Sequence, residues 1–194
     1  MKRFNTLFCS TLLTLAGAHI HASTPIKEGQ FDDIQKTELT SEEQRERLSA
    51  TAGLLADYEI RAIKLVDSLA NTELQAESVS LEAEALLELS TEVIASARFR
   101  LPQCDEYLAR TLQLRETLGS ISHESLEKDY HQDGVLPKAP IECYHTKDLF
   151  VHPATVMVLT RDDPTLAQST RDTIADEINE VLAHTEVVRQ LVIY

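Results

Sequence analysis

The sequence predicts an all-α protein, an antiparallel four-helix bundle with a broken fourth element before the last helix. Three observations predict it. Apolar residues recur at spacings of three, four and seven, the period of an amphipathic helix rather than a strand. Glycine is scarce, five in 194 residues, and the stretch Ala76 to Ala97 is rich in strong helix formers. Proline and polar turn signals fall between the apolar stripes. Stripes of this kind, joined by short turns, bury themselves only against one another.

The first helix is expected over about 41–70. Thr40 and Ser41 offer hydroxyl caps, and Glu42 and Glu43 suit the positive end of the helix. Leu48, Leu55, Ala62 and Leu69 recur every seven residues, with Ala52, Tyr58, Leu65 and Val66 between them. Gly53 interrupts this helix and reads as a close helix contact. Asn71 reads as the cap of the second helix, whose stripe is Leu86, Leu89, Val93 and Ala97 and whose last turn carries Arg98 and Arg100. Pro102 separates a third helix, with Tyr107, Leu108, Leu112, Leu118 and Ile121 on its apolar side. That helix is expected to continue, bent near Gly119, to Tyr130.

Gly134 to Pro140 is a loop. The fourth element runs from Ile141 to Leu159 and contains Pro153, which ends or kinks a helix. It is read as two pieces, 141–151 and 153–160, the second a helical turn or a short strand. Asp162, Asp163 and Pro164 restart the chain. Ile174, Ile178, Val181, Val188 and Val192 then mark a last helix ending near Leu191.

Domain organisation follows from the start of the chain. Residues 1–22 read as a signal peptide: Lys2 and Arg3 form the positive end, an apolar stretch follows, and short side chains precede Ser23. That stretch is shorter than the roughly 20 apolar residues of a spanning helix, so no membrane span is expected after signal removal. Residues 23–40 are polar, contain Pro25 and Gly29, and read as a flexible leader; 41–194 form the helical bundle domain. The protein is therefore expected to be exported, periplasmic or secreted. Removal of the signal leaves Cys104 and Cys143, and in an exported chain two cysteines pair. A thiolate metal site is the competing reading, weakened by the lack of a C-x-x-C pair.

Charge excludes whole classes of function. The chain carries 18 basic and 32 acidic residues, a net of −14. Without Lys2 and Arg3 it carries 16 against 32, a net of −16. A nucleic-acid binder needs a basic footprint to displace counterions, and this acidic protein has none. No G-x-S-x-G elbow, H-E-x-x-H pair or phosphate-cradling glycine loop is present, so no catalytic activity is expected. No C-x-x-C-H exists for covalent haem, and Met157, the one methionine beyond the signal, stands five residues from His152 on the same element. The expected work is binding of a partner protein or a small ligand in the cell envelope, without a resident cofactor.

One cluster suggests a divalent transition metal instead. His145 and His152 are seven residues apart, close to two helical turns, and Asp148 lies between them. On a continuous helix the three side chains share a stripe, with Glu142 at its edge. Imidazole and carboxylate groups on one inward face are what such an ion requires. Pro153 stands against this, because a break there takes His152 off the stripe. Glu177, Glu180 and His184 share a face of the last helix and read as a charged rim. His123 and Glu127 read as an exposed i,i+4 pair, and His131 as an exposed helix-end group.

Overall fold

A computed structural model describes residues 40–194. The expected signal peptide, 1–22, and all of the leader except Thr40 lie outside the described residues. The rest is all-α, and no strand occurs among the described residues. Helix α1 spans Ser41–Ser68, α2 spans Ala76–Arg100, and three short helices follow: α3 (Asp105–Leu112), α4 (Leu114–Thr117) and α5 (His123–Leu126). A π-helical turn, Glu127–His131, extends α5. Two long helices complete the chain, α6 (Glu142–Asp162) and α7 (Gln168–Val192).

The four long helices pack side by side in the cyclic order α1, α2, α6, α7. Contacts between them show that neighbours run antiparallel. Thr51 near the start of α1 bonds Ser96 near the end of α2, whereas Arg61 pairs with Glu82 toward the opposite ends. Glu59 pairs with Arg189, and the carbonyls of Leu69 and Asn71 receive Arg171 from the start of α7. The Cys104–Cys143 disulfide joins the chain just after α2 to the first turn of α6.

Local sequence accounts for the ends. Thr40 caps α1 with a reciprocal box: its hydroxyl accepts from the Glu43 amide, and the Glu43 carboxylate accepts from the Thr40 amide. Asn71 does not cap α2. Its side chain accepts from the Glu73 amide in the connecting turn, and α2 starts after Gln75. Asp163 ends α6 and then accepts bonds from Thr165, Ala167 and Thr170, so one carboxylate organises the whole passage to α7. Those bonds hold its pKa down at about 2. Arg171 is buried and donates to four carbonyls, those of Leu166, Leu69, Asn71 and Leu74.

Three further expectations are corrected. Gly53 is exposed, with open space around it, so it marks no helix contact. The expected long third helix is instead a series of short pieces, interrupted at Gln113 and again over 118–122. The fourth element is not broken: α6 runs through Pro153 as one helix. Proline at 153 removes the amide that would bond the Leu149 carbonyl. The Tyr58 hydroxyl, wholly buried on α1, donates to that carbonyl at 2.9 Å and takes the amide's place.

Every residue of α6 from Thr146 to Val156 is buried. Helices α2 and α7 flank it, and α3, α5 and the π turn lie against it as well. A helix covered on several sides loses its polar stripe, and here the polar residues it does carry face inward.

Candidate metal centre

Three segments meet at the candidate site: α6, α7 and the α5–π segment. Helix α6 supplies Asp148 and His152, four residues apart on one stripe because the helix is continuous. Antiparallel α7 supplies Glu177 opposite His152 and His184 opposite Asp148. The π turn supplies His131. The wider winding of π turns accompanies functional sites in many folds.

Two sets of ligand-type groups result. His131, His152 and Glu177 form one, and Asp148, His152 and His184 the other; within each, the donor atoms lie within 4.8 Å of one another. His152 Nδ1 lies 2.7 Å from Glu177 Oε2, and His131 Nε2 lies 3.8 Å from the same oxygen. His184 Nδ1 lies 3.0 Å from Asp148 Oδ2. The nitrogen is buried, and its approach helps to hold the Asp148 carboxyl ionised. The rings stack edge to face: His131 on His152 at 4.8 Å and His152 on His184 at 5.7 Å between centroids. His145 continues the row, 4.8 Å from His184.

Supporting contacts hold these groups in place. Lys147 is 2% exposed, and its ammonium donates to the Tyr130 and His131 carbonyls and to Asp133. It therefore fixes the backbone that carries His131. It also lies 3.2 Å from Asp148 Oδ1, which leaves Oδ2 turned toward His184. Asp133 sits in the left-handed region, φ 58°, and is held there by the Tyr107 hydroxyl as well as by Lys147. His131 Nε2 lies 3.0 Å from the Thr155 hydroxyl, which itself donates to the Val151 carbonyl. The Thr155 proton is thus engaged elsewhere, and His131 offers this oxygen an N–H. An ion at Nε2 takes the place of that one bond.

Burial holds two of the imidazoles in their neutral form. Burial pushes the pKa of His131 down to about 4, helped by His152 and Lys147 and opposed by Glu177. Burial and His184 also lower His145. Burial works to raise Asp148, but His184, Lys147 and His152 outweigh it and hold the carboxyl below its ordinary range. Burial, then the like charge of Glu177, raises Glu127. Neutral His131 and His145 and an ionised Asp148 are the protonation states that metal binding requires.

Of the residues singled out from sequence, His152 and Asp148 meet at the cluster, and His145 stands at its edge. Glu142 lies apart, its carboxylate 3.5 Å from Gln103. His131 is no exposed helix-end group, with a side chain only 16% exposed, and His184 and Glu177 are turned inward rather than forming a rim. Glu180 alone of that trio is exposed. The His123–Glu127 pair is present at 3.5 Å, and Glu127 continues to His131 at 3.5 Å. Lys147 was without any signal in the sequence. A groove between α1 and α2, lined by Ile60, Arg61, Leu65 and Leu74, lies elsewhere and contains neither ligand set. No known protein family, curated protein or solved structure gives a significant match to this chain.

Proposed function

We propose that this is an exported protein that binds a divalent transition metal ion inside its helical bundle, with His152 as the central ligand. The observation that carries the reading is the convergence of three histidines and two carboxylates from three separate segments on one largely buried place. Burying that many polar groups is costly, and most buried polar atoms in folded proteins have a partner. Here His145 Nδ1 is buried and makes no hydrogen bond, while the buried His184 Nδ1 and Glu127 Oε1 have ion-pair contacts, to Asp148 at 3.0 Å and to His123 and His131 at 3.5 Å. Imidazole with carboxylate suits zinc, copper, nickel or iron better than calcium or magnesium, which prefer oxygen throughout. The Cys104–Cys143 disulfide accords with an oxidising compartment outside the cytosol.

The test uses the mature protein, stripped with EDTA and titrated with zinc while heat is recorded. Binding at micromolar affinity or tighter is expected. At a free ion concentration one hundred times the dissociation constant, stability rises by roughly 2.7 kcal/mol, read as a higher melting temperature. His152→Gln is expected to lose both signals while its circular dichroism stays helical. Absence of binding by zinc, copper, nickel and iron at micromolar concentration overturns the reading.

A further inference from the structure

We propose that the centre holds two ions, bridged by the imidazole of His152; this rests on the metal-binding reading above. The two ligand sets have this residue, and no other, in common. Each comprises two histidines and one carboxylate: His131, His152 and Glu177 on one side, Asp148, His152 and His184 on the other. An imidazole has two nitrogens on different edges of its ring, so one residue can serve both sides. Its Nδ1 faces Glu177 at 2.7 Å. The His184 ring packs on His152 at 5.7 Å and the His131 ring at 4.8 Å, so both other histidines touch the shared ring.

The surroundings repeat the same pattern on both sides. Each set has one further donor beyond it that is buried and makes no hydrogen bond. Glu127 Oε1 lies 3.5 Å from His131 Nε2, and His145 Nδ1 belongs to the ring stacked on His184. Charge also favours two ions. Glu127, Glu177 and Asp148 bring three carboxylates, and the buried Lys147 ammonium, which pairs with Asp148 and with Asp133, offsets no more than one of them. When His152 binds through both nitrogens, its single N–H proton passes to solvent, which adds one more negative charge between the ions.

Copper(II) is the probe, because two of its spins couple through a shared imidazole. The stripped mature protein is titrated with copper(II), counted by native mass spectrometry and followed by electron paramagnetic resonance. Two ions per chain are expected. The resonance should grow to one equivalent and then fall as the second equivalent couples to the first. Glu177→Gln and Asp148→Asn are each expected to retain one ion with an uncoupled signal. His152→Gln is expected to lose both ions and with them the coupling. Saturation at one ion overturns the second site and leaves the metal-binding reading intact. Two ions with additive, uncoupled signals overturn the bridge, as does coupling that survives in His152→Gln. No bound copper or zinc at all overturns the reading on which the proposal rests.

Discussion

Pro153 deprives the Leu149 carbonyl of its helical donor, and one phenol from another helix repairs the loss. Tyr58 is wholly buried, so its hydroxyl has little else to bond, and its pKa is driven well above the ordinary value by burial and by Asp148. This single bond keeps α6 continuous between Asp148 and His152, and hence keeps two ligands on one stripe. Tyr58→Phe should cost roughly 1–3 kcal/mol, the usual result of leaving a buried carbonyl unsatisfied. Pro153→Ala supplies the test of cause. It restores an amide at position 153, which takes the Leu149 carbonyl, so the same Tyr58→Phe change should then cost distinctly less. Urea unfolding of the four proteins measures the difference. Equal costs in the two backgrounds would show that the phenol does not serve that carbonyl.

At the scale of elements, the two kinds of helix were unequally legible. The stripe of α7 was readable in full: Ile174, Ile178, Val181, Val188 and Val192 are all buried, because one face meets the core and the other meets water. Helix α1 is similar, and its exposed Gly53 tests how little of it depends on that residue. Gly53→Ala should stabilise the protein by roughly 0.5–1 kcal/mol, since a helical glycine with open space around it contributes only backbone freedom to the unfolded chain. A lower urea midpoint in this variant would show a contact there after all. Helix α6 defeated the same reading, because a helix buried on several sides has no polar face to set its period, and its proline argued for a break. The candidate centre was half legible for the same reason. His145, Asp148 and His152 share one helix and so appear as a spacing. Glu177 and His184 also have a spacing of seven, the same as His145 and His152, but nothing in one sequence says that the two stripes face each other. His131 arrives from a π turn, whose register no helical period reports.

Over the whole molecule, the buried imidazole of His131 ties stability to pH. Its pKa is about 4 in the folded protein, burial being the main cause, against about 6.5 in an unfolded chain. Between those values the unfolded chain binds a proton that the folded protein refuses. Stability therefore rises with pH through this window, and its contribution is present above pH 6.5 and lost as pH falls toward 4. The loss from this group amounts to roughly 3 kcal/mol across the window. Other groups titrate over the same range, so the prediction is a difference between two chains. Melting temperatures of the EDTA-stripped protein and of His131→Gln, measured from pH 8 to pH 4, should run parallel above about 6.5 and separate below it, with the parent chain falling faster. Adding zinc should raise the parent curve most at high pH, because protons compete with the ion for the same nitrogens. Curves that stay parallel down to pH 4 would mean that the folded protein admits the proton at His131, and that its imidazole is not held neutral by the bundle.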